Sequence, residues 1–346
     1  MTIHVGILGA GNISETHARA ASEIDGVEVA AVYGQNAPKS SRLAERYSAP
    51  AYQKLEDFLN HKPLDLVAIG SPSGVHAQEG IAAARRGLHV LTEKPIDVTT
   101  ERADQLIDEC QKAGVKLGVF FQDRVKSDTR RLKEIIEGGV IGKPILATAH
   151  VKWYRPPDYY SGSRWRGTWK LDGGGALMNQ GIHTVDLLLW LLGQVDRVYA
   201  RSRTALHKIE VEDVVVAVLE FANGAVATLE ASTAAYPGYP RRLEISGSEG
   251  TIILEQDQIL SADLLNPLPS PQSEEERDRN LSATSPVVSD VRGHRKLLED
   301  FIQAIQTDGK PCCDGQEGRR SVELVQAVYE SARTGKAVEV GRRPEA

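Results

Sequence analysis

Short apolar runs alternate with amphipathic helical patterns over about the first 120 residues, and this alternation constrains the fold more than any other feature. Parallel strands need crossover connections, which are usually helices, so the pattern predicts a parallel sheet covered by helices. We expect a doubly wound α/β domain. The predicted strands are 3–8, 27–32, 64–69, 88–91 and 115–121, and the predicted helices are 12–24, 38–47, 75–86 and 99–113.

The pattern changes after residue 122, where several strand-like segments follow one another with short turns. Asn223-Gly224 between two of them is a strong hairpin signal. We therefore expect an N-terminal domain at 1–122 and a C-terminal α+β domain at 123–346 with a large, mainly antiparallel sheet. Residues 266–290, rich in Pro, Ser and Glu, are predicted as a surface loop. The predicted strands are 144–153, 195–205, 214–221, 225–232, 241–246 and 251–254, and the helices are 129–137, 181–192, 291–306 and 317–334.

Composition argues against several classes of partner. A formal net charge of -6 gives no electrostatic case for binding nucleic acid or an anionic membrane. Apolar runs fall short of the roughly 20 residues that span a bilayer, and the N-terminus lacks a signal-peptide pattern. Cys110, Cys312 and Cys313 form no disulfide framework or metal-ligand spacing. We expect a cytoplasmic protein without a bound metal.

The turn Gly9-Ala10-Gly11 follows the first predicted strand and opens a helix at Asn12 and Ile13. In such turns the first glycine permits the tight bend, and the second lets the backbone approach a pyrophosphate. The helix N-terminus then offers free N–H groups to the phosphates. Glycine turns between strand and helix are also common without a ligand. The position of the Gly9-Ala10-Gly11 turn in a βαβ unit favours binding of NAD or NADP.

The end of the second predicted strand bears on the choice of dinucleotide. NAD-binding domains often carry an acid here for the adenosine ribose, but Tyr33-Gly34-Gln35-Asn36 contains none. Lys39 and Arg42 follow, and either could pair with a 2′-phosphate. NADP is thus at least as plausible as NAD, with Gly34, Lys39 and Arg42 as candidate contacts. Alternatively, both cations are merely solvated helix positions.

Four sequence features, including the glycine turn, lead to a family resemblance. In this order along the chain, the chain contains Gly9-Ala10-Gly11-Asn12-Ile13 with His17, Ser71-Pro72-Ser73-Gly74-Val75-His76, Glu93-Lys94-Pro95, and the glycine-rich stretch 173–186 that includes Asn179, Gln180 and His183. The chain resembles the Gfo/Idh/MocA family of NAD(P)-dependent sugar and inositol oxidoreductases. That resemblance implies a Rossmann domain, with further cofactor contacts at Ser71, Pro72, His76, Glu93, Lys94, Pro95 and Gln122.

The resemblance also implies the catalytic pair. The family places residues matching Lys94 and His183 around the reacting sugar carbon, and it implies a cis Lys94–Pro95 peptide bond. A proton acceptor works best with a pKa near the working pH, which suits histidine better than an ordinary lysine. We assign His183 as base and Lys94 to the substrate hydroxyl, with the reversed assignment left open. Without the resemblance, a surface lysine and a satisfied core histidine would be favoured.

Two residues near His183 invite specific hypotheses. Many relatives carry aspartate four residues before the histidine, whereas this chain has Asn179, a neutral amide that favours a role as substrate ligand. Asp186 falls three residues after His183 on a similar helix face. It either orients His183 or forms a salt bridge.

A stretch rich in tryptophan and arginine completes the candidate site. Trp153, Trp165 and Trp169 lie within 17 residues, beside Arg155, Arg164 and Arg166. Aromatic faces suit sugars or a uracil ring, and arginine forks match carboxylates and phosphates. The alternative is that the tryptophans pack a domain junction. The candidate substrate contacts are Lys94, Arg155, Tyr160, Trp165, Arg166, Asn179, Gln180 and His183.

Together these features predict an NAD(P)-dependent oxidoreductase that moves a hydride between nicotinamide and a ring carbon of a sugar or sugar nucleotide. The stretches 153–160, 165–169 and 209–213 resemble the WlbA-like branch, which oxidises C3 of a UDP-N-acetylhexosaminuronic acid. An NAD-dependent glycoside hydrolase of the same family and a non-catalytic dinucleotide sensor are the alternatives. The resemblance also implies a homodimer or homotetramer.

Overall fold

The computed structural model describes residues 2–267 and 290–341, in two compact units. The first comprises 2–122, 170–173 and 290–322, and the second 123–169, 174–267 and 323–341. The prediction assigned everything after residue 122 to one domain, whereas 170–173 and 290–322 group with the first unit. Most of the loop predicted at 266–290 lies outside the described residues.

Helices occupy most positions at which the sequence predicts them. The helix predicted at 75–86 begins one residue later, after a 3-10 turn at Ser73–Val75. No helix of the described chain is long and apolar enough to cross a membrane. The helices are α1 (Asn12–Ser22), α2 (Ala37–Glu45), α3 (Leu55–Leu59), α4 (His76–Ala84), α5 (Thr100–Ala113), α6 (Ser127–Glu137), α7 (Asp158–Ser161), α8 (Ile182–Leu192), α9 (Arg292–Gln306) and α10 (Gly315–Thr334).

The first unit contains a six-stranded sheet in the order β3-β2-β1-β4-β5-β6 with every neighbouring pair parallel. This confirms the doubly wound prediction. The strand order reverses between β1 and β4, and sheets of this kind leave a crevice at the carboxyl ends of the strands there. The strands are β1 (Ile3–Leu8), β2 (Val27–Tyr33), β3 (Ala51–Tyr52), β4 (Leu66–Ile69), β5 (His89–Glu93) and β6 (Leu117–Phe120).

Helix α9 joins the first unit because its apolar face packs there. It contacts α1, β5 and β6. Phe301 is fully buried, and a Cβ on Gly118 of β6 would lie 2.8 Å from its ring. Only glycine at residue 118 leaves room for this ring, a contact that the helical period of α9 alone does not reveal.

The second unit contains an eight-stranded sheet in the order β13-β12-β11-β7-β10-β9-β8-β14. Within this sheet, β7 and β10 form the one parallel pair among its described strands, so the sheet is mainly antiparallel, as predicted. Asn223-Gly224 forms the predicted hairpin turn, with Gly224 at φ +86°. The strands are β7 (Pro144–Lys152), β8 (Val195–Arg203), β9 (Val214–Phe221), β10 (Val226–Ser232), β11 (Arg242–Gly247), β12 (Gly250–Glu255), β13 (Gln258–Leu264) and β14 (Val338–Glu339).

The sequence did not predict several of the observed elements, for physical reasons. The two-residue strands β3 and β14 are too short to show a strand period, and β13 is a largely exposed edge strand without clear alternation. The helix predicted at 181–192 starts at Ile182 and follows a π-helical turn at Ala176–Gly181. That turn carries two of the candidate substrate contacts.

Candidate functional site

The glycine turn after β1 has the geometry that a dinucleotide needs. Gly9 has φ +105°, and a Cβ there would lie 2.6 Å from Ser14 Oγ. Gly11 is the N-cap of α1 and offers no side chain to its free N–H groups. A Cβ on Gly11 would meet nothing within 4 Å. Gly11 therefore borders open space, and no side chain caps the donors of the first turn of α1, which includes Asn12 and Ile13; this arrangement suits a pyrophosphate.

The end of β2 lies against this turn. Gly34 is buried, and a Cβ there would come within 2.9 Å of the Ala10 Cβ. Asn36 caps α2 by accepting a hydrogen bond from the Lys39 backbone N–H at 3.1 Å. The side chains of Lys39 and Arg42 are exposed. Gly34 thus adjoins the turn, while the two cations remain available at α2.

Replacing both Lys39 and Arg42 by alanine is expected to weaken NADPH binding by about tenfold, because exposed charge pairs each contribute up to about 1 kcal/mol. NADH has no 2′-phosphate, so its affinity should not change. Fluorescence titration of both cofactors checks this, with Lys112→Ala, an exposed position on α5, as the control. Equal affinities of the double variant and the parent for NADPH would show that neither cation reads the 2′-phosphate.

The segment after β4 is tied to the segment after β5 through His76. Its Nδ1 lies 2.8 Å from the Pro95 carbonyl oxygen, and its Nε2 lies 2.9 Å from the Ser71 carbonyl oxygen. Pro72, next to Ser71, is the N-cap of the 3-10 turn that precedes α4. The Lys94–Pro95 peptide bond is cis, as the resemblance implied. The structure therefore brings the predicted residues of both segments together.

A buried cluster fixes the backbone immediately before Lys94. Glu93 Oε1 lies 2.9 Å from His17 Nε2 and 3.3 Å from His294 Nε2, and Glu93 Oε2 accepts the Lys94 N–H at 3.2 Å. Burial opposes ionisation of Glu93, but the two imidazoles hold its pKa well below the usual range. The three side chains have the types that bind metals, yet their candidate ligand atoms are already hydrogen-bonded to one another. We assign them to holding this strand end.

Gln122 lies at the end of the first unit, beside Gly293. Its side-chain Oε1 is buried and hydrogen-bonds to no other group among the described residues. Buried polar atoms normally have a partner. This unmatched acceptor fits the predicted contact with a cofactor amide.

In the second unit, Glu212 holds the glycine-rich segment before α8. Its carboxyl oxygens accept the N–H groups of Gly175 and Leu177, both at 2.8 Å, and the Tyr329 hydroxyl at 3.0 Å. A Cβ on Gly175 would lie only 1.7 Å from the Glu212 carbonyl oxygen. Glycine is therefore required there, and the anchored segment leads through Asn179 into α8.

The stability of this anchor is expected to depend on pH. Burial raises the pKa of Glu212 from 4.5 to about 7, against the hydrogen bonds that favour the carboxylate. The folded state then binds more protons than the unfolded state, so stability falls as pH rises from about 4.5 to 7. The loss amounts to about 3 kcal/mol. Urea denaturation across this range should show that the parent loses about 3 kcal/mol relative to Glu212→Gln as pH rises; parallel curves for the two proteins would contradict the prediction.

His183 lies near the start of α8 with its side chain 12 % exposed, and its Nδ1 is 3.5 Å from Asp123 Oδ2. Asp186 forms the salt bridge that was one of the two roles considered for it. Its two carboxylate oxygens accept Arg124 Nε at 2.7 Å and Nη2 at 2.6 Å in a buried ion pair. Of the two hypotheses for Asp186, the structure supports the salt bridge.

The predicted substrate contacts of the second unit gather around Tyr159. The guanidinium carbons of Arg155 and Arg166 lie 5.7 Å and 4.2 Å from its ring centroid. The Tyr159 hydroxyl accepts a hydrogen bond from Gln180 Nε2, and Gln180 Oε1 accepts one from Arg155. Burial lowers the pKa of Arg155.

The remaining predicted contacts divide into two groups. Gln180 Nε2 also donates to Asn179 Oδ1 at 2.7 Å, and Trp165 lies 5.5 Å from the Arg166 guanidinium, so both belong to this cluster. Tyr160 packs edge-on against Tyr159, with ring centroids 4.9 Å apart, and its hydroxyl shares a hydrogen bond with Thr233. The hub, Tyr159, was absent from the predicted set.

Comparisons with known proteins decide the family. Residues 3–121 match the model "Oxidoreductase family, NAD-binding Rossmann fold", and 129–253 match the "GFO/IDH/MocA C-terminal domain". The chain is 30% identical to D-xylose 1-dehydrogenase (NADP(+)) 2 of Haloferax volcanii, over 97% of this chain and 99% of the relative. The chain belongs to the GFO/IDH/MocA family. Its NAD-binding Rossmann domain and its class as an oxidoreductase, both predicted, are confirmed.

Two more members of the GFO/IDH/MocA family extend the comparison. Myo-inositol 2-dehydrogenase of Thermotoga maritima is 26% identical and covers 98% of both chains. The WlbA dehydrogenase from Bordetella pertussis, solved with NADH and UDP-GlcNAcA, has a TM-score of 0.89 and 32% identity, over 99% of this chain and 100% of that one. The resemblance to the WlbA-like branch is thereby confirmed.

Proposed function

We propose that this family member oxidises a ring hydroxyl of a sugar that carries a carboxylate, as in a nucleotide-linked uronic acid, with C3 as the reacting carbon. The observation that carries the proposal is the pair of guanidinium groups of Arg155 and Arg166 over Tyr159, adjoining Gln180. Two cations among aromatic rings match a carboxylate on a sugar. The UDP-GlcNAcA bound to the WlbA relative supports this substrate class.

In the proposed reaction, a bound nicotinamide would supply the acceptor for the hydride of the carbinol carbon. The hydroxyl proton passes to His183 Nε2, and Lys94 holds the hydroxyl oxygen by donating a hydrogen bond. The Glu93 cluster fixes the backbone of Lys94, and the Glu212 anchor fixes the segment before His183. Both residues are thus carried on rigid backbone, which general acid–base catalysis requires.

A matched pair of substrates tests the proposal. With purified protein and NAD⁺ or NADP⁺, absorbance of the reduced cofactor is followed against UDP-GlcNAcA and UDP-GlcNAc, which differ by the carboxylate. UDP-GlcNAcA should be oxidised, and Arg166→Met should raise its KM about tenfold or more while the dinucleotide affinity stays unchanged. Xylose, glucose and myo-inositol complete the panel.

Three outcomes would overturn the proposal. Preferred oxidation of a neutral sugar would remove the role given to the two arginines. Release of free sugar without net NADH would identify a glycoside hydrolase. Dinucleotide binding without turnover of any sugar or sugar nucleotide in the panel would favour a sensor.

We also propose that the outer face of the second unit's sheet binds a second copy of the chain. Tyr199, Val218 and Val216 are 41–48% exposed on neighbouring strands β8 and β9. On the same face Arg197 pairs with Glu220, so the face offers both charges to an identical partner. Val218→Lys should convert the oligomer to monomer in light scattering, and an unchanged mass would refute this interface.

A further inference from the structure

A closed ring of two carboxylates and two cations lies beside His183 in the second unit. Asp123 accepts a hydrogen bond from Arg241 Nη1 at 2.7 Å, and its other oxygen lies 2.8 Å from Lys126 Nζ. Asp257 pairs with the same two cations. Both carboxylates are buried. The ring is neutral overall, with like charges at opposite corners.

The imidazole approaches this ring at the Asp123 corner, at an ion-pair distance and without a hydrogen bond from Nδ1 to Asp123. His183 Nδ1 lies 3.5 Å from Asp123 Oδ2, the same oxygen that accepts from Arg241. Asp257 is held across the ring, beyond the cations. Also near α8, Asp186 forms an ion pair with Arg124. Lys133 Nζ donates to the Trp190 carbonyl oxygen and pairs with Glu137. At 3.5 Å the Asp123 carboxylate acts directly on any charge that the imidazole carries.

We propose that Asp123 is a positioning residue for His183. The proposal rests on the proposed function, in which His183 takes the hydroxyl proton. A carboxylate at Nδ1 favours the tautomer with hydrogen on Nδ1, which leaves the Nε2 lone pair free for the substrate proton. It also stabilises the imidazolium that forms when Nε2 receives that proton, while Asp123 itself stays ionised.

The ring keeps Asp123 in the ionised state that this role requires. Burial alone would raise the pKa of Asp123, but Arg241, Lys126 and His183 hold it well below its usual range. Arg241 and Lys126 are in turn shared with Asp257, which limits how strongly they screen Asp123 from the imidazole. Removal of the Asp123 charge would leave a net positive ring beside His183.

The pH dependence of kcat/KM for oxidation tests the proposal. Asp123→Asn should move the acidic limb to lower pH by about one unit or more, because the imidazolium loses its anion. It should also lower kcat. Asp257→Asn is the matched control, since it removes the same charge from the same ring at the corner across from Asp123, and its limb should move much less. A purely structural role would produce similar effects in both variants.

A second readout is independent of turnover. NMR titration of the His183 imidazole in the substrate-free protein should show the same downward displacement in Asp123→Asn. If that variant does not fold, Arg241→Gln supplies a test in the opposite direction. It removes the cation that binds Asp123 Oδ2, so the His183 imidazole should titrate at a higher pH. A His183 titration within about 0.3 unit of the parent in these variants, or an equal displacement in Asp257→Asn, would overturn the proposal.

These measurements distinguish failure of the proposed sugar oxidation from failure of the positioning role of Asp123. Failure of the whole sugar panel in the parent would refute the proposed function, while the imidazole titration would still report on Asp123. Turnover in the parent, together with an unmoved titration in Asp123→Asn, would refute the positioning role alone.

Discussion

Replacing His183 or Lys94 by alanine is expected to lower kcat by about 10²- to 10⁴-fold, the usual contribution of a positioned acid or base. His183→Ala removes the acceptor of the hydroxyl proton, and Lys94→Ala removes the hydrogen-bond donor to the same hydroxyl. Neither change touches the glycine turn at Gly9 and Gly11, so most of the affinity for the dinucleotide should remain, even though Lys94 is also a predicted cofactor contact. Stopped-flow single turnovers and cofactor titrations measure the two quantities separately.

The double variant adds information about how the two residues act. Residues that serve one step are strongly non-additive, so the Lys94→Ala/His183→Ala variant should lose little more than the worse single variant. Lys112→Ala on the exposed face of α5 controls for the loss of a lysine. Near-parental turnover in either single variant would withdraw the role given to that residue, and additive losses would show that the two residues act in separate steps.

The sequence supports prediction of the parts of this protein that depend on local pattern. The alternation of strand and helix predicts the sheet of the first unit, and the Gly9-Ala10-Gly11 turn predicts where its cofactor site lies. Asn223-Gly224 likewise marks a hairpin through local turn chemistry. The alternation follows from hydrophobic periodicity, and the two turns follow from backbone conformations that only a few residue types adopt, so a single sequence is sufficient to reveal them.

Contacts between residues distant in sequence could not be predicted in the same way. Asp123 and His183 meet from positions 60 residues apart, and Glu93 meets His294 from positions 201 apart. Glu212 lies in a stretch that the family resemblance had singled out, but its hydrogen bonds to Gly175 arise only when the chain has folded. The sequence alone shows neither the burial of these carboxylates nor their partners.

Asp186 also forms a contact with a residue distant in sequence, and its substitution has the largest expected effect on stability. Helical spacing placed it on nearly the same face as His183, which suggested a catalytic role. In the structure both its oxygens bind Arg124, and the two side chains are only 1% and 2% exposed. Breaking a buried ion pair from one side leaves the other charge uncompensated, which costs about 3–5 kcal/mol.

Asp186→Ala is therefore expected to lower the free energy of unfolding by about that amount, measured by urea denaturation. Glu330→Ala, which breaks an exposed pair with Arg333, should cost less than about 1 kcal/mol and serves as the matched control. Substitution of both partners, as in Arg124→Met/Asp186→Leu, should recover much of the loss, because no buried charge then remains. A stable Asp186→Ala protein with a displaced His183 titration would instead assign Asp186 the orienting role that we give to Asp123.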